Sequence, residues 1–303
     1  MSHDLVDKVV FITGPARGIG EATARRLAAR GATLALVGRE PERVAKLASD
    51  LGPRHSWADC DVTVQSQLDA AVRATIAAHG GIDVVVANAG IASNGTVAVT
   101  PADALARTIE VNLIGVVRTV RATLNAITAR RGYYLLISSA AALAVMPGIA
   151  AYAASKAGVE MFGNVLRLEL RHRGVEVGSA HPGWVDTDMV RDIQSDSRSF
   201  TEALAALPGP FGTITPVEVC AEALVDAIVR RRRKVFIPKA LGPLAAIRQI
   251  FMSPLSELVI ARHARQMVPA AEREMELGGR IFGKHSVEAR PSRRADGDTD
   301  PRR

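Results

Sequence analysis

Residues 8–20, KVVFITGPARGIG, join a short apolar run directly to three glycines. The apolar run is rich in β-branched and aromatic residues, which favour strands. A helical pattern follows over residues 21–30, Gly31 supplies a helix-end signal, and residues 32–37 form a second apolar run. Strand, glycine turn, helix and strand in this order predict a βαβ unit at the start of the chain.

The three glycines, Gly14, Gly18 and Gly20, follow the pattern Gly-x-x-x-Gly-x-Gly. Without side chains they leave the backbone N–H groups at the start of the helix open to an anion. A dinucleotide pyrophosphate binds at such a helix N-terminus. We interpret the turn as a dinucleotide site; the alternative is a tight turn that holds no ligand.

The end of the second apolar run indicates which dinucleotide. Sites for NAD commonly place an acidic residue there, to hold the ribose hydroxyls. This chain has Gly38 and Arg39 at that point, and Arg17 lies within the glycine turn. Two guanidinium groups suit a 2′-phosphate. We therefore expect NADP(H) in preference to NAD(H), although Glu40 weakens the argument and Arg39 is alternatively a solvated loop residue.

Further apolar runs alternate with helical patterns along the chain. They cover residues 55–58, 82–87, 134–137, 175–180 and 235–237. Strands that are apolar on both faces and alternate with helices are typical of a parallel sheet covered on two sides. The sequence predicts an α/β fold with a doubly wound, Rossmann-like parallel sheet of about seven strands.

The predicted strand ends carry the polar residues and glycines of a ligand site. They are Gly14, Arg39, Asp61, Asn88 and Ser139. In open α/β sheets a ligand lies beyond the carboxyl ends of the strands. We expect these residues to converge on one crevice.

Tyr152 and Lys156 are four residues apart and share one face of a predicted helix. A phenol has an ordinary pKa of about 10, so it exchanges protons poorly at neutral pH unless a cation stabilises the phenolate. Ser139 follows the strand before this helix and could orient a substrate oxygen beside Tyr152. The alternative is an amphipathic surface pair. Asn112, a polar residue in an apolar helix, is either functional or satisfied by backbone groups.

Composition narrows the classes of partner. The 303 residues include 38 Lys and Arg against 31 Asp and Glu, a net charge of +7, but no aromatic platform or known module accompanies the basic residues. We expect no nucleic acid partner. Cys60 and Cys220 lack metal-ligand spacing, so no metal is expected. Neither a leader nor a membrane span is recognisable, and we expect a cytoplasmic protein.

The chain is expected to divide into a catalytic domain, residues 1–239, a helical extension, residues 240–285, and a disordered tail, residues 286–303. A loop-rich region, residues 187–214, is typical of a substrate lid. Within the extension, residues 241–268 form a basic amphipathic pattern. This pattern could pack over the active site, pack on a second subunit or rest on a membrane surface.

The helix that carries Tyr152 has two apolar stripes, which indicates burial on more than one side. One side can meet the sheet and the other a second subunit, so we expect a homodimer or homotetramer. The alternative is an insertion of the same chain that covers the second stripe.

Taken together, these residues resemble the short-chain dehydrogenase/reductase family over about residues 5 to 238. The matching motifs are Thr13-Gly14-x-x-x-Gly18-x-Gly20, Asp61, Asn88-Ala89-Gly90, Asn112, Ser139, Tyr152-x-x-x-Lys156 and Pro182-Gly183. One departure is Ala87, where many members of the family have a second Asn.

The resemblance implies a role for each residue. Tyr152 is implied to be the general acid/base, and Lys156 to lower its pKa and hold the nicotinamide ribose. Ser139 is implied to bind the substrate oxygen, and Asn112 to support a proton relay through water. The residues implied to contact the cofactor, besides Tyr152 and Lys156, are Gly14, Arg17, Gly18, Ile19, Gly20, Arg39, Asp61, Val62, Asn88, Ala89, Gly90, Pro182, Gly183 and Thr187.

The sequence therefore predicts an NADP-dependent oxidoreductase that transfers hydride between nicotinamide C4 and a carbonyl or secondary alcohol. The apolar lid and extension indicate a hydrophobic small molecule as substrate. The alternative is a non-catalytic NADP(H)-binding regulatory or scaffold protein. The intact set of Ser139, Tyr152, Lys156 and Asn112 favours the enzyme.

Overall fold

The structure, a computed structural model, describes residues 5–143, 145–207, 209, 212–248 and 253–286. The strands are β1 (Val9–Thr13), β2 (Thr33–Gly38), β3 (Ser56–Asp59), β4 (Val84–Ala87), β5 (Tyr133–Ile137), β6 (Glu176–Pro182), β7 (Trp184–Val185), β8 (Ile214–Thr215) and β9 (Lys234–Ile237). The α-helices are α1 (Gly18–Ala29), α2 (Pro41–Leu51), α3 (Gln65–His79), α4 (Ala102–Ile109), α5 (Gly115–Ala129), α6 (Ala150–Leu170), α7 (Asp188–Asp196), α8 (Arg198–Ala206), α9 (Val217–Val229), α10 (Leu241–Ala246) and α11 (Pro254–Glu276).

Seven strands form one sheet in the order β3-β2-β1-β4-β5-β6-β9, and every neighbouring pair is parallel. The predicted doubly wound sheet is confirmed. β7 and β8 form a separate short parallel pair. The strand order reverses between β1 and β4, which opens a crevice beyond their carboxyl ends.

Helices cover the sheet on both faces. The side chains of β1 alternate between two buried clusters: Val10 and Ile12 belong to the cluster with α1 and α9, and Phe11 to the cluster with α3, α5 and α6. This alternation explains why the strand runs are apolar at every position. The burial of both faces fixes the strand ends, and so the crevice, on a rigid frame.

The region between β4 and β5 is not one regular α-helix. α4 and α5 are separated by a π-helical turn, Glu110–Ile114, in which Asn112 is fully buried. A π-turn adds a residue to the helix and turns the following face, and such turns are frequent at functional sites.

The predicted loop over residues 187–214 is wrong in its first part, because it contains α7 and α8. The Ser197 hydroxyl caps α8 by accepting a hydrogen bond from the Phe200 N–H at 3.1 Å. Each helix is only nine residues long, and a segment this short is difficult to recognise as a helix from its sequence.

The C-terminal extension contains α10 and α11, and α11 packs against α8. Among the helices that the structure describes, none is long and apolar enough to cross a membrane. Surface contact with a membrane through residues 241–268 stays a prediction, and the tail after residue 286 lies outside the described residues.

Candidate active site

The glycine turn connects β1 to α1 at the crevice. The Gly14 N–H donates to the Val37 carbonyl at 2.8 Å, and Gly14 has a φ of +67°, which glycine adopts readily. A Cβ at Gly14 would lie 2.8 Å from Ala89 Cα. A Cβ at Gly20 would overlap the Gly14 carbonyl oxygen and lie 2.6 Å from Asn88 Nδ2. The turn is therefore compact because both positions lack side chains.

The first turn of α1 keeps its backbone donors available. Its N-cap residue, Arg17, makes no side-chain cap hydrogen bond, and Gly18 and Gly20 place no side chain over the helix end. The first N–H groups of a helix have no partner within the helix, and the helix dipole favours an anion there. The geometry therefore fits a pyrophosphate of a dinucleotide.

Asn88 and Thr13 brace this turn from the end of β4. Asn88 Nδ2 donates to the Thr13 carbonyl at 3.1 Å and to the Gly14 carbonyl at 2.9 Å. The Thr13 hydroxyl accepts from the N–H groups of Asn88 and Ala89. The Asn88 side chain therefore fixes the turn through its backbone.

Acidic residues hold the two arginines expected at the 2′-phosphate corner. Arg17 forms a two-point ion pair with the buried Glu40, with Nε 2.9 Å from Oε1. Arg39 Nε lies 3.3 Å from Asp61 Oδ2, and Arg107 donates to the same Asp61 oxygen at 3.0 Å. Burial acts to raise the pKa of Asp61, but hydrogen bonds to its carboxylate outweigh burial and lower the pKa. Asp61 is thus ionised and holds Arg39 at the end of β2.

Tyr152 and Lys156 lie on the first turns of α6, next to the carboxyl end of β5. Lys156 Nζ is 5.6 Å from the centre of the Tyr152 ring and donates to the Ile137 carbonyl at 2.9 Å. Its side chain is almost completely buried. A Cβ on Gly90 would lie 3.4 Å from Lys156 Nζ, so the β4 end reaches the same point. The ammonium therefore lies close to both the phenol and the end of β4.

The electrostatics differ from the expected lowering of the phenol pKa by Lys156. Burial raises the pKa of Tyr152, and a hydrogen bond with Ser139 opposes the rise. Burial also lowers the pKa of Lys156 to about 8. Desolvation disfavours the charged form of both groups, which is the cause of both shifts. The Tyr152 phenol is therefore protonated at neutral pH and can act as a proton donor.

The Ser139 hydroxyl stands at the end of β5, beside the phenol. It accepts from the Ala141 N–H at 3.1 Å and lies 3.4 Å from the Pro182 carbonyl. These contacts fix the hydroxyl, and Ser139 lies close enough to Tyr152 to lower the pKa of the phenol, so both groups can reach one substrate oxygen.

Asn112 ties the π-turn to the active-site backbone. Its Oδ1 accepts from the Ile91 N–H at 2.8 Å, and its Nδ2 donates to the Ile91 carbonyl at 2.9 Å and to Ser155 Oγ at 3.1 Å. These bonds satisfy the buried Asn112 amide with protein groups, as expected of a structural Asn. The water relay to Lys156 stays a prediction.

The remaining predicted cofactor residues divide into two groups. Thr187 approaches the glycine turn, because a Cβ on Gly18 would lie 3.2 Å from Thr187 Cγ2. Gly183 is fixed at the end of β6 by its N–H bond to the Ile237 carbonyl at 2.7 Å. Ile19 and Val62, in contrast, pack in the two buried clusters.

The family model for short chain dehydrogenases matches residues 8–198. The chain belongs to the short-chain dehydrogenase family.

Short-chain dehydrogenase relatives match most of the chain. A 3-oxoacyl-[acyl-carrier-protein] reductase of Chlamydia muridarum is 34% identical over 230 residues, which cover 74% of this chain and 91% of the relative. A cis-4-hydroxycyclohexanecarboxylate dehydrogenase of Sinomonas cyclohexanicum is 32% identical over 228 residues, covering 74% and 90%. A short-chain dehydrogenase/reductase of Burkholderia phymatum, solved in complex with NAD, superposes with a TM-score of 0.72 at 24% identity, covering 83% and 96%. The last shows the shared fold.

Two buried titratable residues of this short-chain dehydrogenase, both behind the site, were not identified from the sequence. Glu160 lies one turn beyond Lys156, is buried, and forms ion pairs with Lys234 at 2.6 Å and Arg248 at 3.0 Å. Burial acts to raise the pKa of Glu160, but the two cations lower it. The i, i+4 spacing from Lys156 was the available signal.

His181 supports Ser139 from the end of β6. It is fully buried, stacks on Phe236, and its Nδ1 lies 3.4 Å from the Ser139 carbonyl. Burial lowers its pKa, so the imidazole is neutral at physiological pH. No spacing rule connects it to Ser139 in the sequence, since the contact is made by the pairing of β5 with β6.

A pH effect on stability follows from the lowered pKa of Lys156. Between about pH 8 and 10.5 the unfolded lysine is protonated and the folded one is neutral, so folding releases a proton and stability rises with pH. The raised pKa values of Tyr152 and Cys60 act in the opposite direction. Between about pH 8 and 10.5 we therefore expect the free energy of unfolding of wild type to rise by about 3 kcal/mol relative to that of Lys156→Met. Urea unfolding of both proteins at several pH values measures the difference; a constant difference would contradict the lowered pKa.

Proposed function

We propose that this protein is an NADP-dependent oxidoreductase that transfers hydride between nicotinamide C4 and a carbonyl or secondary alcohol of a hydrophobic small molecule. The observation that carries the proposal is the convergence of Tyr152, Lys156 and Ser139 beside a glycine turn whose helix donors are open. The family, whose members named above are a reductase and a dehydrogenase, supports the same class of reaction.

In the direction of carbonyl reduction, Tyr152 donates its proton to the substrate oxygen, and Ser139 donates a hydrogen bond to the same oxygen. A bound nicotinamide supplies the hydride to the carbonyl carbon. The raised pKa of Tyr152 keeps the phenol protonated before the reaction, which suits a general acid. In alcohol oxidation the same groups act in reverse.

Lys156 is placed to restore the proton. Its ammonium lies beside the Tyr152 ring, and its pKa of about 8 allows exchange near neutral pH. A cation at that distance also stabilises the phenolate that remains after proton transfer. Asn112 holds the backbone of Ile91 next to this position and so fixes the wall of the crevice.

The preference for NADP(H) rests on the corner at the end of β2. Arg17, Arg39 and Arg43 bring guanidinium groups to this corner, and the carboxylate of Glu40 is held by Arg17. A carboxylate engaged in this way is poorly placed to accept from ribose hydroxyls. The three guanidinium groups concentrate positive charge at this corner, which suits a 2′-phosphate.

The names of two relatives support the proposed class of substrate. They are named for a 3-oxoacyl group and for cis-4-hydroxycyclohexanecarboxylate, and each name places the oxygen on an aliphatic carbon skeleton. A panel of aliphatic and cyclic ketones with NADPH tests the function, with cofactor binding followed by fluorescence. Cofactor binding without turnover of any ketone or alcohol would favour a regulatory or scaffold protein.

The oligomer that we propose is a homodimer or homotetramer. α6 exposes Met161, Val165 and Leu168 on one face, and Leu168 is 69% exposed in the single chain. An apolar face of this kind on a central helix supports burial against a second copy.

Replacing Arg39 with Ala tests the cofactor preference. We expect KM for NADPH to rise about 10- to 100-fold, because a charge-assisted hydrogen bond to phosphate contributes about 1.5–3 kcal/mol, while KM for NADH stays unchanged. Lys46→Ala is the control, since Lys46 is an exposed cation on α2 that pairs with Asp50. Equal or better activity of wild type with NADH would refute the assignment.

A further inference from the structure

The C-terminal extension crosses between two separate parts of the molecule. We name residues 272–286 the strap, the helices α7 and α8 the lid, and residues 91–96, which follow β4, the β4 loop. The strap contacts both the lid and the β4 loop through specific hydrogen bonds.

On the β4 loop, the strap makes side-chain and backbone contacts. Glu272 Oε1 accepts from the Thr96 hydroxyl at 2.7 Å. The Asn94 N–H donates to the Ile281 carbonyl at 2.7 Å, and Ser93 and Phe282 form an antiparallel bridge. The strap is thus joined to this loop as a short added strand.

On the lid, Glu274 of the strap binds the start of α8. Its carboxylate accepts from the hydroxyls of Ser197 at 2.8 Å and Ser199 at 2.9 Å, and from the Ser199 N–H at 3.2 Å. A carboxylate at a helix N-terminus satisfies donors that otherwise lack partners and interacts favourably with the dipole.

A second contact with the lid encloses Asp192 of α7, which is only 1% exposed. Its carboxylate accepts from the His285 N–H at 2.8 Å and lies 2.6 Å from His285 Nδ1. A Cβ on Gly283 would come 2.7 Å from Asp192 Oδ2. The turn at 283–285 therefore fits around this carboxylate only because residue 283 is glycine.

The two parts that the strap joins each border the crevice. The β4 loop begins directly after Gly90, which approaches Lys156 Nζ, and Asn112 holds Ile91. The lid begins directly after Thr187, which approaches the glycine turn. A substrate that meets Tyr152 lies between these walls.

We propose that the strap holds the lid against the β4 loop and forms the outer wall of the substrate site, so that it restricts the enzyme to compact carbonyl or alcohol substrates. The restriction on substrates rests on the proposed function, whereas the fastening of the lid does not. Gly283 and His285 are positioning residues in this scheme, since they act through Asp192.

The fastening can be observed without catalysis. The chain has two tryptophans, Trp57 and Trp184, and Trp184 packs edge-on against Phe200 of the lid with ring centroids 5.1 Å apart. In a Trp57→Phe background the emission reports Trp184 alone. We expect Gly283→Ala and His285→Ala to raise the acrylamide quenching of Trp184 about twofold, as expected for local opening. Lys284→Ala, an exposed change in the same turn, is the control and leaves quenching unchanged.

The same variants test the restriction with two ketones, cyclohexanone and the bulkier 4-phenylcyclohexanone. We expect the ratio of kcat/KM for the bulky ketone to that for the compact one to rise about tenfold in Gly283→Ala and to stay unchanged in Lys284→Ala. Quenching that is unchanged in both strap variants would overturn the fastening, and increased quenching with an unchanged ratio would overturn the restriction. If wild type reduces neither ketone nor any other carbonyl, the proposed function fails with the restriction, while quenching still decides the fastening.

Discussion

Replacing Tyr152 with Phe is expected to lower kcat by about 10³-fold and to leave the Kd for NADPH within a factor of two, since a positioned acid contributes about 10²- to 10⁴-fold. In the proposed mechanism the phenol hydroxyl gives its proton to the substrate, and Phe keeps the ring without that proton. The proposed pyrophosphate donors at the glycine turn are backbone groups that the change does not touch. Stopped-flow consumption of NADPH gives kcat, and fluorescence titration gives Kd.

The chain supplies matched controls for this change, because its other tyrosines, Tyr133 and Tyr134, are buried in β5 away from the crevice. The Tyr134 hydroxyl bonds to Thr123 at 2.9 Å and donates to the Val120 carbonyl at 3.2 Å, so Tyr134→Phe removes the same atom and two structural hydrogen bonds. We expect this control to lose about 1–3 kcal/mol of stability and to keep wild-type turnover. If Tyr152→Phe kept more than a tenth of wild-type kcat, another group would have to supply the proton.

Replacing Gly20 with Ala is expected to weaken NADPH binding at least about 100-fold, or about 2.7 kcal/mol. The new Cβ would overlap the Gly14 carbonyl oxygen and crowd Asn88 Nδ2, which itself bonds to that carbonyl. Relief of this clash moves Gly14 and the first N–H groups of α1, which are the proposed pyrophosphate donors. Some loss of stability, about 1–3 kcal/mol, accompanies the overpacking.

Gly163→Ala is the control for this second change. Gly163 is also helical and buried, but a Cβ there would meet only a methyl group of Leu136, at 3.1 Å. Ala favours a helix over Gly by about 1 kcal/mol, so we expect this control to fold. The change does not touch the glycine turn, and we expect NADPH binding to be unchanged. Calorimetry at a temperature below the unfolding transition gives the Kd for NADPH. Unfolding curves of the cofactor-free proteins give the stability, so the two effects are measured separately. Wild-type affinity in Gly20→Ala would contradict the role of the turn.

The fold was predictable because local signals and topology agree. The run 8–13 is apolar at nearly every position, the glycines mark the turn, and helices alternate with strands, so a parallel sheet was the only consistent arrangement. Where local signals are weak, prediction failed. The π-turn around Asn112 lies inside a longer helical pattern, and the helices of the lid are only nine residues long, so the sequence distinguishes neither.

The site was predictable only in part, for a different reason. Residues at strand ends are brought to one edge by the sheet itself, which a sequence reveals. The contacts that tune or enclose them are long-range: Arg17 meets Glu40 across the turn, Glu160 meets Lys234, and Asp192 meets His285 over 93 residues. No period or motif encodes such pairs, so the strap appeared in the sequence only as an extension with several alternatives.

The central claim, hydride transfer to a carbonyl at Tyr152, is tested most directly with NADPH that carries deuterium at nicotinamide C4. NADPH is prepared with deuterium at either of the two C4 positions. We predict that wild type transfers the deuterium from only one of these preparations to the carbinol carbon of the alcohol, and that Tyr152→Phe yields almost no alcohol. An alcohol without label, or cofactor binding with no alcohol from any ketone of the panel, would contradict it.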